Sequence, residues 1–265
     1  MENNLWNYIQ SVKKLSPLVH NISNFVVMNN TANALLAVGA SPVMAHAKSE
    51  VKEMVAIANA LVINIGTIDE YWSESMLTAA EEASRLKKTW ILDPVGAGAT
   101  AYRDEILVKL LEFKPTVIRG NASEIIALAK ANKTVTKGVD STAESNEAIN
   151  AAKYLVESRE CVVCISGATD IIIDEKETYF VENGHALMTK ITGLGCSASA
   201  IVAAFAGIAD NKTEGTVAAM TLLGIAGELS EKISHGPGSL QMNILDKLYN
   251  LSKPEFFENV KVSKQ

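Results

Sequence analysis

The stretch Thr189-Lys-Ile-Thr-Gly-Leu-Gly-Cys-Ser-Ala-Ser-Ala200 combines a flexible turn, a thiol and the start of an apolar helix. Gly193 and Gly195 flank Leu194, Cys196 follows, and a small-residue run continues to Ala209. The first N–H groups of a helix have no intrahelical acceptor, and with the helix dipole they form an anion site. Glycine lets such a backbone approach a phosphate closely. A thiol at that helix start would have its thiolate favoured. The same residues also suit a plain turn before a core helix, with Cys196 a small buried hydrophobe. The other turns of the chain decide between the two.

Two carboxylates and one cation stand at comparable turns. Asp93 closes the apolar run Thr89-Trp-Ile-Leu-Asp and is followed by Pro94 and the glycine-rich Val95-Gly-Ala-Gly-Ala-Thr100. A charge that ends a buried strand needs a partner. Glu124 falls in the first turn of a helix after Asn121, where it can bind Mg²⁺ or simply cap the helix. Mg²⁺ prefers carboxylates together with water and substrate phosphates, so Asp93 and Glu124 suit it. Arg119, beside Asn121, can grip a phosphate through its fork or pair with Asp93. Asn24 lies on a turn before a helix, where ligands are met.

The elements that position these residues alternate. Continuous apolar strands are expected near 61, 90, 116 and 161, with helices over 3–15, 48–60, 73–88, 103–113, 122–131 and 144–158. A further helix carries Asn residues, is capped by Ser23 or Asn24 and closes at Gly39. Residues 132–141 read as a polar loop, and 171–173 with 178–181 as a hairpin at a sheet edge. His185 to Lys190 is expected as a short strand, followed by the 193–196 turn and three C-terminal helices. Such alternation implies a parallel sheet covered on both faces, with ligands at the carboxyl ends of its strands. Asn64-Ile-Gly-Thr67, Asp93-Pro94, Arg119-Gly-Asn121, Ser166-Gly167 and residues 193–196 should therefore share one edge. Cys161 and Cys164, three apart on a strand, point to opposite faces and suit core packing better than redox chemistry.

The 265 residues suit one α/β domain, 1–265. A net charge of −6 with scattered Lys and Arg gives no footprint for nucleic acid. Three cysteines fit a reducing compartment, the N-terminal residues do not form a signal peptide, and the most apolar helical runs are short for a membrane span. The expected location is cytoplasmic. No P-loop, no dinucleotide fingerprint and no nucleophile elbow occurs. An anion cradle, two carboxylates and an arginine then point to phosphoryl transfer outside the P-loop class, where positioning and charge stabilisation dominate.

Seven segments together resemble the hydroxyethylthiazole kinases of thiamin salvage, within the ribokinase-like superfamily. They are Pro17-Leu-Val-His20, Ala40-Ser-Pro-Val-Met44, Asn64-Ile-Gly-Thr67, Asp93-Pro-Val-Gly-Ala-Gly-Ala99, Arg119-Gly-Asn-Ala-Ser-Glu124, Gly193-Leu-Gly-Cys196 and Gly236-Pro-Gly-Ser239. The resemblance implies a three-layer α/β/α sandwich with a mostly parallel sheet. It also implies ATP-dependent phosphorylation of 4-methyl-5-(2-hydroxyethyl)thiazole and a homotrimer with sites between subunits. It would place Met44 against the thiazole with Asn24, Gly66 and Gly193 nearby. Arg119, Ser166, Asn121 and Gly195 would serve ATP, and Asp93 and Glu124 would serve Mg²⁺. Cys196 would stand beside the substrate hydroxyl, where sugar kinases of the superfamily carry Asp. A thiol is a poor general base unless its pKa is lowered, so a modest role is expected for it. Leu194 and Ser166 depart from the family pattern, which has a smaller or polar residue and Thr there. The competing readings are a kinase of another small alcohol, against which Cys196 argues, and a non-catalytic nucleotide or thiazole sensor, which would not need both carboxylates.

Overall fold

The computed structural model describes residues 1–132 and 144–265. Its strands are β1 (Leu18–Ile22), β2 (Ser41–Val43), β3 (Ala60–Asn64), β4 (Thr89–Asp93), β5 (Val117–Asn121), β6 (Val162–Ser166), β7 (Asp170–Ile173), β8 (Thr178–Val181) and β9 (Val262–Lys264). They form one sheet in the order β2-β1-β3-β4-β5-β6-β7-β8-β9. Pairing is parallel from β2 through β6 and antiparallel from β6 to β9.

Alternation along the parallel strands builds two cores. Val62, Ile91, Val117 and Cys164 face one side, whereas Leu61, Ile63, Trp90, Leu92, Ile118 and Cys161 face the other. The first side is covered by α1 (Glu2–Leu15), α2 (Met28–Val38), α8 (Leu194–Ile208), α9 (Lys212–Glu231), α10 (Pro237–Asn250) and α11 (Lys253–Asn259). The second is covered by α3 (Val51–Ile57), α4 (Glu70–Arg85), α5 (Ala101–Leu111), α6 (Ala122–Asn132) and α7 (Glu144–Arg159). This is the expected α/β/α sandwich with an antiparallel hairpin at its margin. Helix α8 is buried almost all round, since a run of Ala with Ile201, Val202 and Phe205 gives it no polar face.

Local signals set most boundaries. α1 ends at Ser16, which takes a left-handed conformation before Pro17, and α2 ends at left-handed Gly39. At Gly39 a Cβ would stand 2.9 Å from the Lys13 backbone, so the site requires glycine for space as well as for φ. Asp69 opens α4 by accepting the Trp72 N–H at 2.7 Å.

Several expectations are corrected. α2 starts at Met28 with no side-chain cap, so neither Ser23 nor Asn24 caps it. The Asn24 side chain instead accepts the Val26 N–H at 3.1 Å, a local bond that competes with helix formation. α3 is shorter than 48–60, because Ala60 already pairs in β3. Ala186–Lys190 is a short 3₁₀ helix held by His185, not a strand. Four helices, not three, follow the 193–196 turn, and β9 is added outside the hairpin. The loop expected over 132–141 lies, past Asn132, outside the described residues.

Candidate active site

The parallel strands bring Asn64, Asp93, Arg119, Asn121 and Ser166 to one edge of the sheet. Asn64 stands opposite Asp93, and Asn121 opposite Ser166. Side chains then join β3, β4, the turn after β1 and α8 into one chain of hydrogen bonds. Asn64 is its hub. The amide donates to Asp93 Oδ2 at 2.7 Å, while its Oδ1 accepts from Asn24 Nδ2 at 2.8 Å and from the Gly66 N–H at 2.9 Å. Asn24 Nδ2 also donates to Cys196 Sγ at 3.5 Å. From α8, the Ser199 hydroxyl donates to Asp93 Oδ2 at 2.8 Å. Asn24, Asn64, Asp93 and Ser199 are all buried.

Gly66 is required by this packing. A Cβ there would sit 2.7 Å from Asn24 Nδ2. Gly193 caps α8 at φ 77° with no side-chain cap, and a Cβ would collide with Val27 Cγ1. The first N–H groups of α8 are thereby left without side-chain acceptors, as an anion cradle requires.

Burial drives the electrostatics. Asp93 has its carboxyl pushed up to about 6, chiefly by desolvation and against the pull of Arg119. Arg119 forms no ion pair with it. One guanidinium nitrogen donates to Gly195 O at 2.9 Å, and Nε is buried with no partner among the described residues. Burial and the nearby Asp93 charge push the Cys196 thiol up, outweighing the amides of Asn64 and Asn24 that favour a thiolate. Of the two readings of this helix start, burial thus favours the thiol over the thiolate. Cys161 and Cys164 are buried and inert as expected, with Cys161 pushed up to about 12.

Glu124 ties two loops together. Its Oε2 accepts the Asn121 N–H at 2.9 Å and Oε1 the Gly96 N–H at 3.0 Å, while Asn121 Oδ1 accepts the Glu124 N–H at 2.9 Å. That is a reciprocal cap on α6, with a third bond to the glycine-rich loop.

A cleft of about 670 Å³ opens beside this network. It is lined by Arg119, Ser166, Gly193 and Gly195, together with Asp170, whose buried carboxyl is also pushed up to about 6. Asn121 and Glu124 do not line it, and neither do Met44, Asn24 or Gly66. Met44 follows β2 and is half-buried, beside Ala45, whose carbonyl accepts a 2.7 Å bond from the buried His20 Nε2. The sequence reading missed Asn64 as the hub, Ser199 and Asp170. Asn64 was placed at the edge, but nothing local marks its bonds.

The model of the hydroxyethylthiazole kinase family matches residues 9–254. A curated hydroxyethylthiazole kinase of Syntrophus aciditrophicus is 51% identical over 98% of this chain and 96% of its own length. One from Arabidopsis thaliana is 44% identical over 98% of this chain and 95% of its own. The solved hydroxyethylthiazole kinase protein of Pyrococcus horikoshii OT3 superposes with a TM-score of 0.92 at 38% identity, covering 99% of each chain. With matches of this length added to a phosphate-suited cleft beside a buried carboxylate, the chain belongs to the hydroxyethylthiazole kinase family.

Proposed function

We propose that this protein transfers a phosphoryl group from ATP to the primary hydroxyl of 4-methyl-5-(2-hydroxyethyl)thiazole. The carrying observation is the uncapped α8 start, bounded by Gly193 and Gly195, opening on the cleft that Arg119 and Ser166 line. ATP occupies that cleft. The guanidinium of Arg119 and the α8 amides take its phosphates, and Ser166 holds the nucleotide from the end of β6, with Asn121 beside it at the end of β5 reaching in from outside the cleft's lining. The thiazole lies on the other side of Cys196, among Met44, Asn24, Gly66 and Gly193. Its hydroxyl then meets the phosphates at the α8 start, and the aligned donors stabilise charge on the transferring group.

The residues present fit Mg²⁺. Asp93 accepts both of its hydrogen bonds on Oδ2, and Glu124 accepts one on each oxygen, so lone pairs remain on both groups. Among the described residues no cluster of three or more acidic, His or Cys groups could hold a metal by itself. A two-carboxylate site completed by water and phosphate is the arrangement Mg²⁺ prefers. When bound, the ion would neutralise phosphate charge.

Cys196 holds its proton, so it orients the substrate hydroxyl and assists modestly; alignment does most of the catalysis. Phe25 and Val26, beside Asn24, are 60% and 62% exposed, which supports a homotrimer whose subunits close over the thiazole side. One sheet running through the chain supports a single domain, 1–265. Among the described residues no helix is long and apolar enough to cross a membrane, and we place the enzyme in the cytoplasm.

The test is a mass-spectrometric end-point assay with Mg-ATP and the thiazole alcohol. Phosphorylated thiazole that disappears with EDTA is the expected result. ATP binding without product would transfer the reading to another small alcohol or to a sensor.

A further inference from the structure

Arg103 makes an unusual set of bonds for a surface-helix arginine. It sits in the first turn of α5, where its own N–H is capped by Thr100 Oγ1 at 3.3 Å. Its side chain runs along Gly96, with Cδ and Nε 3.6 Å from where a Cβ would stand. The fork then ends on three backbone carbonyls: Nη1 on Ile65 O at 2.6 Å and on Val95 O at 2.9 Å, and Nη2 on Gly66 O at 2.9 Å. It forms no ion pair among the described residues.

The three carbonyls belong to two loops. Ile65 and Gly66 follow β3 on the side where Asn24 and Asn64 pack. Val95 follows Asp93-Pro94, and the next residue, Gly96, is bound by Glu124. Both loops leave parallel strands at their carboxyl ends, where turn carbonyls have no ladder partner. A planar fork with several donors in fixed directions can satisfy both at once, and a lysine point charge cannot.

We infer that Arg103 is a positioning residue that fixes the thiazole-side turn at Gly66 relative to the carboxylate-side loop at residues 94–98. The inference rests on the reading of Gly66 as a thiazole-side residue. Arg103 touches no residue that lines the nucleotide cleft. Its loss should therefore misplace the acceptor hydroxyl and leave nucleotide binding intact.

The experiment uses the full chain with Arg103→Ala, Arg103→Lys and, as a control, Gly66→Ala. Steady-state kinetics for the thiazole alcohol are combined with ADP affinity by calorimetry and with activity in added millimolar guanidinium. For Arg103→Ala, kcat/KM for the thiazole alcohol should fall roughly 10- to 100-fold, the scale of a misplacement of about 1 Å. ADP affinity should stay within about twofold, a difference too small to signal altered packing of the cleft. Arg103→Lys should recover only part of the loss, and guanidinium should partly rescue Arg103→Ala. Unchanged thiazole kinetics in Arg103→Ala, alongside a raised thiazole KM in Gly66→Ala, would overturn the inference alone. Unchanged kinetics in both would overturn the placement of the thiazole at Gly66, and this inference with it. Parallel losses of ADP affinity and turnover, without guanidinium rescue, would reduce Arg103 to a structural residue and also overturn it.

Discussion

Asp93, at the parallel strand ends, and Glu177, at the antiparallel margin, are carboxylates of one sheet in opposite circumstances. Glu177 accepts Lys264 Nζ on Oε1 and the Tyr179 hydroxyl on Oε2, both at 2.6 Å, and hydrogen bonding holds its carboxyl below the ordinary value. Neighbouring Asp174 is equally occupied, with two backbone N–H groups on Oδ1 and the Thr213 hydroxyl on Oδ2. Asp93 is buried with neutral donors only, and Arg119 nearby has a donor that no described group accepts. Glu177 and Asp174 thus have both oxygens occupied by partners within the fold. At the strand ends charge is held without full compensation, and this is where a ligand gains most by binding.

The largest break of this comparison is Asp93→Asn. Turnover should fall about 10²- to 10³-fold, the scale of losing a group that organises transition-state charge. The melting temperature of the ligand-free protein should hold or rise, because a charge opposed by burial is removed. Calorimetry beside the kinase assay reads both, and a large drop in melting temperature would mean that Asp93 is structural.

Cys196→Ala should lower kcat about tenfold or less, short of the 10²–10⁴ that general acid–base catalysis contributes. A protonated thiol is a weak base, so abolished turnover would show that the thiol does more than orient the hydroxyl. Glu177→Gln should leave kcat unchanged and lower the melting temperature slightly. Its folded-state pKa lies below the ordinary 4.5, so the stabilisation is present at neutral pH and is lost as pH falls through and below that value. The melting difference from the unaltered protein should shrink accordingly; a difference independent of pH would assign it to packing.

The parallel core was legible because strands covered on both faces must be apolar throughout, and that signal is local. The site edge followed from it, since a polar residue that interrupts such a run falls at a strand end. Long-range pairing was not legible. Ser199 reaches Asp93 across 106 positions and Asn64 reaches Asp93 across 29, and no spacing rule joins them. The α2 start was misread because Asn24, a good cap by type, bonds Val26 and Asn64 instead. The state of Cys196 was left open by the sequence, since the helix start and burial act on the thiol in opposite directions and only the packing around it shows that burial is the larger. β9 went unseen because three partly polar residues carry no strand signal, and their pairing is decided by the open edge of β8.

That late strand has a consequence for how the kinase is made. Residues 262–264 are synthesised long after β8, and until they dock, β8 offers a free row of backbone donors and acceptors. The opposite border is guarded from the start, since β2 is only three residues long and contains Pro42. The emerging chain is thus protected on one flank and adhesive on the other, so its exposure to self-association on the ribosome is governed by when its last strand arrives.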